Sequence, residues 1–442
     1  MITDKLAHFI RNTEYSMFPP EVVEQAKLCF LDFLGVSIAG SRTNSGQIMR
    51  STISSKGQST VFGGPKTSSS EASLINGVSA HSLDLDDGHR LAQLHPGACV
   101  IPAALSLAES EERSGREFIE AIIVGYQVAV SLGMMVNPSH RNRGFHSTGT
   151  CGTFGAAAGA SKVLNLSAEE IVNCLGLAGT QAAGLLESDH SGSMAKHLHP
   201  GRAAQSGVLS AMISQKGFTG ARSILEGREG FLNSMCELHD PVPKEWKVTP
   251  DSSYHISRVY FKNYPVCRHL HSALDAALSL HRKYEIKPQD IVDVKVKTYQ
   301  IAAEHQNYTP EEPEAIRQSL PVTLSLAISL GHLTPYEFHI SEEVLSLASK
   351  VSIECDPDFE ALYPEKRPAH VVVNTKRESF KETVYLPQGE PEKPFSWDDI
   401  LVKFLTLNPK FDVDTLDIIK KMESYYMDDL MNILSNYNHK NV

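Results

Sequence analysis

Ser193 to Arg202 reads SMAKHLHPGR, with Lys196, His197, His199 and Arg202 in ten residues and no carboxylate among them. Three more stretches carry chemistry of the same kind. Residues 80–97, AHSLDLDDGHRLAQLHPG, hold Asp84, Asp86 and Asp87, then His89, Arg90 and His95. Residues 141–152, RNRGFHSTGTCG, set His146 between a basic turn and a glycine-rich segment. Residues 261–271, FKNYPVCRHLH, place Lys262 and Tyr264 ahead of Pro265, with Cys267, His269 and His271 following. An imidazole titrates near neutral pH and a carboxylate can orient it, so Asp84 with His95 or His146 can make an acid–base set. Ammonium and guanidinium groups hold carboxylates and stabilise charge that develops on them, as in an enediolate.

The candidates for chemistry are therefore Asp84, His95, His146, Lys196 and Lys262. The candidates for holding substrate are His89, Arg90, His199, Arg202 and Tyr264. Each stretch also has a plain structural reading: N-cap carboxylates in a polar loop, or a capped helix beside solvated arginines. Other chemistries fit less well. The Asp cluster lacks the spacing of a Ca²⁺ loop. His197 and His199 form an HxH pair with no third ligand at an evident spacing, so no metal is expected. The glycines of TGTCGTFGAAAG lack the GxGxxG spacing and a preceding strand. Cys267 with His269 or His271 could suggest a thiol nucleophile, but nothing in the sequence points to activation, and an ordinary buried thiol is expected.

Lys196 to His199 read as a loop leading into a helix that starts at Pro200, which would aim free N–H groups at an anion. Residues 1 to about 258 are expected to be helical, with apolar residues recurring at three and four over 20–40, 71–83, 100–112 and 116–136. The Gly/Ala density of 149–164 suits a helix packed closely between others. Ser167-Ala-Glu-Glu reads as a capping box. Past residue 258 the texture changes: DIVDVKVKTYQ alternates like a strand, VSIECDPDF is strand-like, and HVVVNTKRESFKETVYL reads as a hairpin. From 396 the pattern is helical again. The division expected is 1–258 helical, 259–395 α+β, and 396–442 returning to the helical part; the class is mainly α with a smaller α+β domain.

The chain has 442 residues, a net charge of −11 and 19 histidines, 12 of them between residues 81 and 271. The acidic balance argues against a general nucleic-acid binder. Seven dispersed cysteines with no CxxC pair read as reduced thiols, hence a cytoplasmic setting. The most apolar run, 119–135, is interrupted by Glu120, Gly125 and Gln127, so no membrane association is expected.

Taken together, HSLDLDDGH…HPG, GFHSTGTCGTFGAAAGASKVLNL, the AK…H.G.AA..G pattern of 195–207 and FKNYPVCRHLHSALDA resemble the MmgE/PrpD family. Its members include 2-methylcitrate dehydratase, cis-aconitate decarboxylase and iminodisuccinate epimerase. The resemblance implies a large helical domain made from both chain ends, an inserted lid domain, a homodimer, no metal or organic cofactor, and a site in the cleft between domains. It places Asp84, His95, His146, Lys196 and Lys262 on the site positions of decarboxylase members. Two positions depart: Gly88 stands where those members have Thr, and a lid Tyr falls on the Ala pair of QIAAEH, with Tyr299 nearby. The expected activity is a lyase on a small di- or tricarboxylate, a decarboxylase or dehydratase. The alternatives are an epimerase of an imino- or amino-dicarboxylate, and a non-catalytic polycarboxylate-binding protein.

Overall fold

The computed structural model describes residues 1–237, 248 and 253–439; it is built mainly of helices, with one small mixed sheet. The helices that matter here are α1 (Pro20–Gly40), α2 (Ser69–His81), α3 (Gly97–Ser110), α4 (Gly115–Val136), α5 (Ser147–Val163) and α6 (Ala195–Ser214). Their starts follow from local chemistry. Pro20 occupies the first turn of α1, where its missing N–H costs nothing. Ser114 and Glu117 form a reciprocal capping box on α4, and Ser167 and Glu170 do the same for the helix Ala168–Gly179.

Small residues set how closely these helices approach. A Cβ added at Gly155 of α5 would lie 2.5 Å from the Ala129 Cβ and 2.8 Å from the Gly125 carbonyl of α4. At Gly152 it would lie 2.6 Å from the Cys99 Sγ of α3. The glycines of α5 thus serve helix packing, not a nucleotide. A second crossing joins α2 to α6, where a Cβ on Gly77 would meet the Gly201 Cα at 2.7 Å. Helix α4 is long and apolar enough to cross a membrane by length and composition; here it lies inside the protein, with Phe118, Ile122, Val128 and Leu132 fully buried.

The chain leaves this first core at Phe261 and re-enters it at Phe395, whose rings stack at 6.5 Å. Between them a second core runs from Tyr264 to Val373. It is formed by α7 (His271–Tyr284), α8 (Leu320–Leu330) and a sheet of β1 (Ile291–Thr298), β2 (Val351–Cys355), β3 (Ala369–Thr375) and β4 (Ser379–Val384) in the order β2-β1-β3-β4. The β1–β2 pair is parallel; β3 pairs antiparallel with both β1 and β4, the latter as the expected hairpin. The chain then returns through α9 (Trp397–Leu407) and α10 (Met427–His439). Phe404 of α9 packs against α1 at Gly35, and Leu430, Met431 and Leu434 of α10 join the first core.

One local expectation is corrected. Helix α6 begins at Ala195, not at Pro200, and Pro200 lies inside it. Proline there removes the bond to the Lys196 carbonyl but leaves the helix continuous. Lys196 is therefore a first-turn residue of a helix, not part of a loop facing a helix start.

Candidate active site

The α2–α6 crossing at Gly77 and Gly201 brings the end of α2 beside the start of α6. Asp84 follows α2 and Lys196 opens α6, and their side chains meet: Lys196 Nζ lies 3.0 Å from Asp84 Oδ2. Lys262 donates from the other side to Asp84 Oδ1 and, at 2.9 Å, to the Asp84 carbonyl. Gln318 Nε2 donates to Asp84 Oδ2 at 3.2 Å. Asp84 and Lys262 are fully buried. Asp84 also holds φ at +49°, an unusual conformation for a residue with a side chain. Strain of this kind persists only where surroundings enforce it; here the surroundings are two ammonium groups. Burial pushes the Asp84 carboxyl up, but Lys196 and Lys262 hold it well below the usual carboxylate range. Burial lowers Lys262, and Asp84 only partly offsets this.

The other two aspartates of the run do different work. Asp86 accepts from His81 Nδ1 at 2.9 Å and lies 3.5 Å from His95 Nδ1. Asp87 faces inward: Tyr126 Oη donates to its Oδ2 at 2.6 Å and the Gly97 N–H to its Oδ1 at 2.9 Å, and burial pushes its carboxyl up to about 7. His81, Asp86 and His95 converge within 4.8 Å, the density of a metal-ligand set. Their hydrogen bonds organise them otherwise. His81 Nδ1 donates to the Asp86 carboxylate, and His95 Nδ1 donates to the Asp87 carbonyl at 2.7 Å. That bond fixes the His95 tautomer, leaving the lone pair on Nε2. Burial brings both rings down to about 3, so both are neutral at physiological pH.

His146 is the N-cap of α5, and its Nδ1 lies 2.8 Å from Nδ1 of His199. Burial keeps His146 well below an ordinary imidazole, so one ring of the pair donates and the other accepts. A cavity of about 700 Å³ is lined by Asp84, His95, His146, Lys196 and Lys262 together. All five proposed chemical residues thus share one space.

The substrate-holding candidates are placed differently. His89 Nδ1 accepts the Ala92 N–H at 3.1 Å, and its ring packs 5.9 Å from His255. Arg90 pairs with Glu390 at 3.0 Å and Glu392 at 2.7 Å, tying the two cores together. Tyr264 donates to Asp275 at 2.7 Å within the second core. None of these three lines the cavity. His199 stands behind His146 and, with Arg202, borders a neighbouring hollow. Arg202 bonds only Gln205 among the described residues.

Other residues fill the space that these leave. Arg141 lines the cavity, and among the described residues no hydrogen bond or ion pair engages its guanidinium. Cys267, His269, His305, Gln318 and Arg367 line it from the second core's part of the chain. Tyr260 lines it too and accounts for Gly88. The two residues pair backbone to backbone, and a Cβ on Gly88 would meet the Tyr260 hydroxyl at 2.3 Å. A phenol from the facing segment thus occupies the space that a side chain at residue 88 would need. Tyr299 is buried and bonds His269 Nδ1 at 2.7 Å, reaching the cavity only through that ring.

Comparison with known proteins agrees with this arrangement. Residues 4–244 match the MmgE/PrpD N-terminal domain and residues 264–423 the MmgE/PrpD C-terminal domain. Among curated proteins, the chain is 29% identical to cis-aconitate decarboxylase of Aspergillus terreus (strain NIH 2624 / FGSC A1156), over 92% of this chain and 89% of that protein. It is 28% identical to cis-aconitate decarboxylase of Homo sapiens, over 91% and 87% respectively. It is 25% identical to the cis-aconitate decarboxylase-like protein oryM of Aspergillus oryzae (strain ATCC 42149 / RIB 40), over 92% and 90%. The two domains match in order and together span most of the chain: this chain belongs to the MmgE/PrpD family.

Proposed function

We propose that the protein is a cofactor-independent lyase that decarboxylates a small di- or tricarboxylate, with cis-aconitate the first substrate to test. The observation that carries this reading is the cavity itself. Lys196 and Lys262 share one carboxylate, Arg141 is left for another anion, and two neutral imidazoles line the same space. In such a site one substrate carboxylate breaks away as CO₂. Its bonding electron pair moves onto the adjacent carbon and into a remaining carboxylate, as an enediolate. The ammonium groups stabilise that charge where it forms, and little water competes with them. The carbon then takes up one proton. His146 can give it from Nε2 in the tautomer in which His199 donates to Nδ1, whereas His95 with its free Nε2 is suited to accept.

The second core serves in this reading as a lid, since Cys267, His305 and Gln318 bring its part of the chain onto a cavity that Asp84 and Lys196 line from the first core. The homodimer that the family resemblance implies is supported by apolar side chains exposed along α6, among them Leu198, Leu209 and Met212.

The test is proton NMR of chelator-treated protein in D₂O with cis-aconitate, 2-methylcitrate, citrate and iminodisuccinate. A new vinyl product with loss of CO₂ supports the decarboxylase. An alkene formed from a hydroxy acid makes it a dehydratase, and deuterium entering an α-carbon with an unchanged skeleton makes it an isomerase. Thermal stabilisation by these acids without turnover would make it a binding protein.

A further inference from the structure

Cys267 does not pair with His269 or His271, its neighbours in sequence. Its Sγ lies 3.7 Å from Nε2 of His305, 38 residues away. His305 Nδ1 donates to the Gln318 carbonyl at 2.8 Å, so the lone pair of the neutral ring sits on Nε2, facing the thiol. Gln318 also donates its side chain to Asp84, which links the thiol–imidazole pair to the two lysines. Cys267, His305 and Gln318 all line the 700 Å³ cavity, which also contains Lys196, Arg141 and Lys262. Nothing in the decarboxylation chemistry uses the thiol. Of the seven cysteines, all free, five are buried and Cys355 is exposed.

We propose that Cys267 and His305 form a second reactive centre in the cavity, a thiol activated by an imidazole and supplied by the cavity's cations with electrophilic carboxylates, above all α,β-unsaturated acids. His305 Nε2 takes the thiol proton. The thiolate then attacks the β-carbon, forming a C–S bond, and the π pair moves to the α-carbon and its carboxylate. The proton on Nε2 passes to the α-carbon. The result is a thioether and a neutral imidazole, with no oxidant or reductant consumed. Resting on the lyase reading, the protein's own unsaturated acids would meet this thiol and could close the cavity by occupying it.

The groups that set the thiol's charge are all present in the fold. Lys196 and Asp84 face it from the first core; His305 faces it from its own side, with the His269 ring 6.1 Å from His305 and Tyr299 behind His269. Burial raises the thiol, but His305 and Lys196 bring it down to about 7, and His305 is raised in turn by Cys267. Thiolate therefore forms at neutral pH.

The experiment is peptide mapping of the intact protein after brief treatment with iodoacetate, with iodoacetamide, and with maleate. In the first two the thiolate displaces iodide; with maleate it adds across the double bond. We expect iodoacetate to label Cys267 before Cys355 and roughly tenfold faster than iodoacetamide does, because the cations draw in the charged reagent. Labelling should rise with pH through about 7, and maleate should leave an adduct on Cys267. His305→Gln should slow labelling of Cys267 and shift its pH midpoint upward. The rate at Cys355 should stay the same and the five buried cysteines should stay unlabelled, which shows that the variant is folded. The proposal is overturned if Cys355 reacts first, if the neutral reagent labels Cys267 as fast as the charged one, if no maleate adduct forms, or if His305→Gln changes nothing. Labelling needs no turnover: a protein that fails every lyase assay yet labels at Cys267 keeps this inference and loses the lyase reading, and the reverse result does the opposite.

Discussion

The two walls of the cavity handle charge in opposite ways. On the first-core wall, Asp84 is fixed by Lys196 and Lys262, and burial strips the charge from His95 and His146. Asp84 is ionised there at neutral pH, and the two imidazoles are neutral. On the second-core wall, Cys267 and His305 are drawn toward each other's range, so a proton can sit on either. The difference lies in the partners. A carboxylate between two ammonium groups has no neutral alternative of similar energy, whereas a thiol beside an imidazole has one. The first wall presents a fixed charge pattern and neutral imidazoles to a substrate; the second shares one proton between its own two groups.

Several changes would break or sharpen that contrast. The largest effects should come from Lys196→Ala and His146→Ala. Each should lower kcat/KM by roughly 10³-fold if the first wall stabilises the transition state, with the fold intact by circular dichroism. Near wild-type turnover in both variants would place the chemistry elsewhere.

Next, Asp84→Asn should cost about 3–5 kcal/mol in denaturant unfolding, because it leaves two buried ammonium groups without their shared partner. The same carboxylate predicts an acid limb. Its folded pKa is depressed, so its contribution is complete above the unfolded value of about 3.9 and is lost as pH falls through the folded one. Wild-type stability should drop in that window, and the Asn variant should lose that part of the dependence.

Gly88→Ala should cost about 1–3 kcal/mol by driving a methyl group into the Tyr260 ring. Combining it with Tyr260→Ala should recover part of the loss, a non-additivity that independent sites would not show. The smallest effect should come from Arg202→Ala, within about 0.5 kcal/mol in stability and twofold in turnover. A large loss there would return Arg202 to the site.

The first wall was largely legible in the sequence. Asp84, His95, His146, Lys196 and Lys262 each sit in a short stretch of unusual composition, and all five line the cavity. The helices and the β3–β4 hairpin were legible for a related reason, since periodicity and capping are local. The second wall was not. His305 and Gln318 lie in ordinary sequence and acquire meaning only when the chain between Tyr264 and Val373 folds back over Asp84. The activated thiol was missed because its imidazole is 38 residues distant. Arg141 was weighed only as one of a solvated pair. His89, Arg90 and Tyr264 were over-read for the converse reason. They are neighbours of site residues along the chain, but the Gly88–Tyr260 bridge turns His89 toward Ala92 and Arg90 toward Glu390. The start of α6 was misplaced because Pro200 imitates a helix opening.

The Gly88–Tyr260 contact makes the effect of a substitution at either residue depend on the other. Each position constrains the other: a larger residue at 88 collides with the phenol, and a smaller one at 260 leaves a hole in the cavity wall. A single-site library would report substitutions at 88 as costly with Tyr260 present and less costly once residue 260 is shortened.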